Sequence, residues 1–190
     1  RADAAQRALA RGWPWLGLAA LIASVVLSIL LVLARTPGVN RWQPAADFFR
    51  VALVVHVDLS VLVWFVAMAG VLWSLNATAH GVRVAKAALA LAGAGTMLMA
   101  AGAFVSPGAP IMANYIPVLE GPVFLAGLVV FGAGFALLVL RSLAAAPRLG
   151  RTIDGERALR FGLSASAVSA AVALIAFVWS LAVVPTSLAG

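Results

Sequence analysis

Cysteine is absent from this chain of 190 residues, and charged residues make up only 10% of it. The lack of cysteine excludes disulfides, zinc–thiolate sites, iron–sulfur clusters and covalently attached c-type haem within the chain. Soluble domains carry about 25% charged and about 45–50% apolar residues, whereas 64% of this chain is apolar. This composition excludes an ordinary soluble enzyme, a disordered segment and a solenoid with a polar surface.

Long apolar runs account for most of the chain. A helix needs about 20 mostly apolar residues to cross a bilayer, and the stretches that meet this length are 13–34, 46–75, 84–105, 118–140 and 159–183. Because an open sheet edge cannot face lipid, we expect all of them to be helices. The sequence predicts an all-α, polytopic transmembrane helix bundle of about five spans, forming a single transmembrane domain over residues 1–190.

The distribution of Lys and Arg predicts the orientation of these spans. The net charge of +7 would suit a nucleic-acid-binding protein, but in a membrane protein cations mark the cytoplasmic loops. Three cations lie on one side and ten on the side of the N-terminus: Arg35, Arg41 and Arg50 against Arg1, Arg7, Arg11, Arg83, Lys86, Arg141, Arg148, Arg151, Arg157 and Arg160. We therefore expect the N-terminus inside and the C-terminus outside a bacterial cytoplasmic membrane, with lipid and not nucleic acid as a partner.

His56 is the most informative ionisable residue within an apolar run. It lies about ten residues, or ~15 Å, from the outer end of its helix, in the outer half of the membrane. Ionisable residues at such depth are candidates for function, because burying them is costly. Either the imidazole hydrogen-bonds to a neighbouring helix, or Nε2 is an axial ligand to haem iron while an acceptor holds Nδ1–H.

The other candidates favour structural roles. Asp58 lies about 200° around the helix from His56, so we expect a packing carboxylate bonded to hydroxyls or to another helix, with proton transfer as the alternative. Glu120 is expected to be solvated or to favour a helix N-terminus, and His80 to be solvated in a loop. Small residues that suit close helix contacts are Gly127, Gly132 and Gly134.

Three stretches resemble the catalytic subunit of haem–copper oxidases, closest to its nitric-oxide-reductase-like and C-type branches. Residues 49–65 (FRVALVVHVDLSVLVWF) resemble the second helix, with His56, Asp58, Leu59 and Trp64 at the family's histidine, polar, Leu and Trp positions. Residues 113–124 (ANYIPVLEGPVF) are similar to the outer loop and start of the fourth helix, and 179–190 (WSLAVVPTSLAG) look like the end of the fifth.

The resemblance implies that the chain is the N-terminal part, helices one to five, of a twelve-helix subunit. His56 would then bind a low-spin haem, b-type or related. That haem would receive electrons from an outer-side cytochrome or copper protein. Arg50, about 9 Å outward along the helix, and Arg41 would pair with haem propionates or anchor the interface. Copper and a high-spin haem need ligands that two histidines cannot supply, so oxygen or nitric oxide reduction requires further helices.

Two functions from different classes follow. The first is a respiratory electron-transfer subunit, working with other membrane subunits, in which His56 is the metal ligand. The second is a haem-free structural or assembly subunit of a membrane complex, which packs its Ala- and Gly-rich helices against partners. A transporter is a weaker third interpretation, since neither paired broken helices nor repeats are evident.

Overall fold

The structure is a computed structural model that describes residues 4–38, 46–76, 81–112, 116–144 and 155–183. Its helical elements are α1 (Ala4–Arg35), α2 (Ala46–Val57), a π-helical segment π1 (Asp58–Val63), α3 (Trp64–Asn76), α4 (Val82–Val105), α5 (Pro122–Ala144) and α6 (Gly155–Val183). The candidate spans among these residues are five, with α2, π1 and α3 forming one of them. The predicted all-α, multi-pass membrane bundle is confirmed.

The segment before α5 is not helical, although the apolar run predicted a helix from residue 118. Two short strands, β1 (Pro110–Ile111) and β2 (Val118–Leu119), pair antiparallel with Pro110 opposite Leu119. Gly121 donates its N–H to the carbonyl of Pro107 at 3.0 Å, and the helix then begins at Pro122. Proline at the first helical position needs no N–H partner, which explains where α5 starts.

The opposite end of α5 corrects a second expectation. The predicted span 118–140 leaves Arg141 in the following loop, but Arg141 lies within α5, which continues to Ala144, and it is 4% exposed. Arg, Leu and Ala are strong helix formers, so the sequence RSLA extends the helix beyond the uninterrupted apolar run. The first helix is longer than the predicted span 13–34 for the same reason, since residues 4–11 (AAQRALAR) extend α1 towards the N-terminus.

Helices α4 and α5 approach each other most closely, at glycines. A Cβ on Gly102 would lie 2.8 Å from the backbone nitrogen of Phe124, and a Cβ on Gly127 would lie 2.6 Å from that of Met99. Gly134 faces α4 in the same way. Gly132 does not, because a Cβ there would meet nothing within 4 Å among the described residues. The expectation of close contact is confirmed for two of the three glycines and wrong for Gly132.

Helix α1 packs antiparallel against the second span. Trp13 is fully buried against Gly70, where a Cβ would overlap the indole ring, whereas Trp15 is exposed. Further along, a Cβ on Gly17 would lie 3.1 Å from the side chains of Trp64 and Ala67. This register continues towards the opposite end of the bundle and places the middle of α1 beside π1.

Helix α6 makes the fewest contacts with the rest of the bundle. Among its described side chains Ala167 is the buried one, while Phe161, Ile175 and Trp179 are exposed. The indole N–H of Trp73 in α3 donates to the Ser166 hydroxyl at 3.1 Å and links α6 to the second span. The apolar outer face of α6 is therefore available to lipid or to further helices.

Candidate functional site

His56 lies in the last turn of α2, immediately before the helix changes to π geometry. It is half-buried, and its ring faces α1 at the level of Ser24. Ser24 itself is 2% exposed. The antiparallel packing of α1 on the second span brings these two residues together although they are 32 positions apart in sequence.

The Nδ1 atom of His56 is held by Ser24. It lies 2.9 Å from the Ser24 carbonyl oxygen and 2.8 Å from the Ser24 hydroxyl, which also lies 3.0 Å from the His56 carbonyl oxygen. A carbonyl can only accept, so the network is satisfied when Nδ1–H donates to the Ser24 carbonyl and the Ser24 hydroxyl donates to the His56 carbonyl. In that tautomer the lone pair of the imidazole is on Nε2.

The π-helical segment adds a second support for this arrangement. The Ser60 hydroxyl donates to the His56 carbonyl at 2.7 Å and lies 3.3 Å from the carbonyl of Val57. The wider π turn displaces main-chain carbonyls from regular i→i+4 bonding, and hydroxyls can then satisfy them. Short π-helical stretches within α-helices are frequently found at functional sites.

The Nε2 atom of His56 has no hydrogen-bond partner among the described residues. A ring with Nδ1–H bound to a carbonyl and a free Nε2 lone pair has the donor set of a metal-bound histidine. The residues present therefore fit one axial position of a haem. His56 is the one histidine among the described residues, so no second histidine ligand is found there.

Of the two predicted propionate partners, the structure describes Arg50. Arg50 is exposed on α2, about 9 Å along the axis from His56 and about 120° around it. Arg41 lies outside the described residues. Phe49 falls on the same helix face as His56, and the guanidinium of Arg35 stacks 4.0 Å from the centre of its ring. Arg35 is thus a cation near this face that the sequence did not single out.

The remaining ionisable candidates are Asp58, Glu120 and His80. Asp58 is 1% exposed, and neither carboxyl oxygen has a hydrogen-bond partner among the described residues, so the expected bonds to hydroxyls are not found there. Glu120 is exposed, as expected, and precedes α5 by two residues. His80 lies outside the described residues.

Comparison with known proteins gives two bacterial relatives. An uncharacterized protein of Rickettsia prowazekii is 29% identical over 163 residues, covering 71% of this chain and 31% of that protein. An uncharacterized protein of Aquifex aeolicus is 32% identical over 119 residues, covering 61% of this chain and 29% of that protein. The chain thus spans about a third of the length of these relatives. No family model matches the chain, and no solved structure matches it.

Proposed function

We propose that the chain is an electron-transfer segment of a bacterial respiratory membrane protein, in which His56 is an axial ligand of a low-spin haem. The observation that carries the proposal is the imidazole itself, with Nδ1 2.9 Å from the Ser24 carbonyl and Nε2 without a partner in the described structure. A half-buried imidazole without a partner on one nitrogen is costly in an apolar setting. An iron bound at Nε2 removes that cost.

The residues around His56 have separate tasks in this proposal. The Ser24 carbonyl selects the tautomer and makes the ring a stronger donor, because a hydrogen bond from Nδ1–H raises the basicity of Nε2. The Ser24 and Ser60 hydroxyls hold the carbonyl of His56 and so fix the backbone from which the ring projects. Haem, when bound, supplies one-electron redox chemistry.

Cations at the same end of the bundle would hold the propionates of a b-type or related haem. Arg50 and Arg41 are the two that the sequence suggests, and Arg35 on Phe49 is a third. Guanidinium groups suit carboxylates because their planar N–H groups bind both oxygens. The second axial ligand, copper, a high-spin haem and the docking of an outer-side cytochrome or copper-protein donor belong, in this proposal, to other parts of the protein or to partner subunits.

A haem-free structural or assembly subunit is the second candidate. The observation that favours it is the exposed apolar face of α6. Further membrane helices could pack on this face, just as α5 packs on the small residues of α4. In this case His56 only links α1 to α2 through Ser24.

A difference spectrum of the purified full-length protein separates the two candidates. We expect the reduced-minus-oxidised spectrum to show a low-spin haem, and His56→Ala to remove that signal. His80→Ala changes the chain's other histidine and is the matched control, which should keep the signal. A haem signal that survives His56→Ala, or a wild-type protein without haem, would overturn the proposal and favour the structural subunit.

A further inference from the structure

Arg141 is a buried cation without a partner in the described structure. Its side chain is 4% exposed, and none of its guanidinium nitrogens has a hydrogen-bond partner among the described residues. An unpaired buried charge costs several kcal/mol, so guanidinium groups in such places are normally paired. The side chain therefore predicts that an anion binds beside it.

The N-terminus of α4 lies directly beside this side chain. Cγ, Nε and Cδ of Arg141 lie 3.6, 3.9 and 4.0 Å from the position that a Cβ on Gly81 would occupy. Gly81 precedes α4 and provides no side-chain cap, and the first bond of the helix runs from the N–H of Ala85 to its carbonyl at 3.0 Å. The N–H groups of residues 82–84 thus have no acceptor within the helix.

The local charge also favours an anion. The first turn of α4 holds no acidic residue, although carboxylates are favoured at this positive end of the helix dipole. It carries Arg83 instead, which adds positive charge. The acidic residue described on α6, Glu156, forms an ion pair with Arg160.

The position along the bundle indicates where the anion comes from. Arg141 lies three residues, or about 4.5 Å, before the end of α5, and Gly81 immediately precedes the span Val82–Val105. Both residues are therefore at the boundary between membrane and water. Lipid phosphates occupy this level, and basic pockets between membrane helices bind anionic headgroups there.

We propose that Arg141 and the N-terminus of α4 bind a phosphate group, either that of an anionic phospholipid headgroup or a free phosphate. Main-chain N–H groups of a helix N-terminus and a bidentate guanidinium are complementary to phosphate oxygens. This site lies at the end of the bundle where α4 begins, whereas His56 lies near the end where α2 begins. It does not depend on the haem proposal.

Lipid titration of the purified full-length protein in neutral detergent tests the site. Phosphatidylglycerol is the probe, phosphatidylcholine the headgroup control and inorganic phosphate the free anion, with bound lipid counted by native mass spectrometry. We expect Arg141→Gln to weaken phosphatidylglycerol binding by at least about tenfold, the loss of one charge-assisted hydrogen-bonded pair. Lys86→Gln removes the same charge from an exposed position on α4 and should change it by less than about twofold.

A pair of substitutions at Gly81 tests the site without touching Arg141. Asp and Asn both tolerate the left-handed φ of +74° at this position. Gly81→Asp places a carboxylate beside the guanidinium and should abolish phosphatidylglycerol binding, whereas Gly81→Asn keeps the residue size without the charge and should retain it. This pair remains informative if Arg141→Gln does not fold.

The outcomes separate the sources of the anion. If inorganic phosphate competes with phosphatidylglycerol in the wild type, the site takes free phosphate; if only the lipid binds, it is a headgroup site. Equal weakening by Arg141→Gln and Lys86→Gln would overturn the proposal in favour of diffuse surface charge. A wild type that binds neither probe would overturn it as well.

Discussion

Nδ1 of His56 lies 2.9 Å from the main-chain carbonyl oxygen of Ser24, which is 32 positions away in the sequence. Because the acceptor is a main-chain atom, the orientation of the ring depends on how α1 packs and not on the side chain at position 24. The Ser24 hydroxyl also lies 2.8 Å from Nδ1, but when Nδ1–H donates to the Ser24 carbonyl the hydroxyl donates to the His56 carbonyl at 3.0 Å. The two contacts therefore make separable contributions to the site.

Replacement of Ser24 tests this separation. We expect Ser24→Ala to lower the free energy of unfolding by about 1 kcal/mol, the usual net contribution of one buried hydrogen bond. The haem signal assigned to His56 should remain, because the carbonyl still holds Nδ1–H. Thermal or denaturant unfolding of the purified protein measures the first effect, and the visible spectrum measures the second.

Ser28 provides the matched control. It lies one turn further along α1, is half-buried, and makes no hydrogen bond among the described residues. Ser28→Ala should leave stability within about 0.5 kcal/mol of the wild type. Loss of the haem signal in Ser24→Ala would show that the hydroxyl, not the carbonyl, orients the ring.

Asp58 is expected to reduce the stability of the fold. Its carboxyl group is 1% exposed and has no hydrogen-bond partner within the described part of the chain. Burying an unpaired carboxylate costs more than burying an amide of the same size, so we expect Asp58→Asn to raise the free energy of unfolding by about 1–3 kcal/mol. Ser74 is also buried and has no hydrogen-bond partner among the described residues; Ser74→Ala should change stability by less than about 1 kcal/mol.

The opposite result for Asp58→Asn would be equally informative. Destabilisation would show that the carboxyl has a partner in a part of the protein beyond the described residues. A more stable protein that loses the proposed haem signal would show that the carboxyl is retained for function at the expense of stability.

The sequence predicts the spans well because apolar length decides them. The second span, expected over residues 46–75, is found as a continuous α2–π1–α3 helix from Ala46 to Asn76. The π geometry of Asp58–Val63 could not be predicted, since its sequence, DLSVLV, resembles the apolar residues on either side. Two hydroxyls donate to the carbonyl of His56 beside it, one from Ser60 within the segment and one from Ser24 on α1, and the second of these contacts is tertiary.

The site was predicted in part. His56 stood out because an ionisable residue in an apolar run is rare, but its partner did not, because Ser24 is one of several hydroxyls with no distinguishing pattern. The sequence predicts a loop position for Arg141 because it directly follows an apolar run, where cations are normally exposed to water. Its side chain lies beside Gly81 at the start of α4, a contact that sequence spacing does not reveal.

Substitution by alanine should affect stability differently at glycines in the α4–α5 contact and at glycines elsewhere on the same helix. A Cβ on Gly127 would lie 2.6 Å from the backbone nitrogen of Met99, whereas one on Gly132 would meet nothing within 4 Å among the described residues. We expect Gly127→Ala to destabilise the protein by about 1–3 kcal/mol through overpacking. Gly132→Ala should stabilise it by up to about 1 kcal/mol, because alanine is the better helix former. Unfolding measurements that give both variants the same sign would contradict the observed packing.

The orientation of the bundle can be measured by single-cysteine labelling, since the chain has no cysteine of its own. Pro37 follows α1 and Ala158 lies in the first turn of α6; both are exposed, and the helix order places them at opposite ends of the bundle. Ten cations lie on the side of Ala158 and three on the side of Pro37, so the positive-inside rule puts Ala158 in the cytoplasm.

In intact spheroplasts, a membrane-impermeant maleimide should therefore label Pro37→Cys and not Ala158→Cys. The background is the full-length protein, with any cysteines outside these 190 residues replaced. Disruption of the membrane should make both positions reactive, which controls for burial of either thiol. Labelling of Ala158→Cys alone in intact cells would reverse the orientation. It would also move His56 to the cytoplasmic half of the membrane, where an electron donor on the outer side could no longer reach it directly.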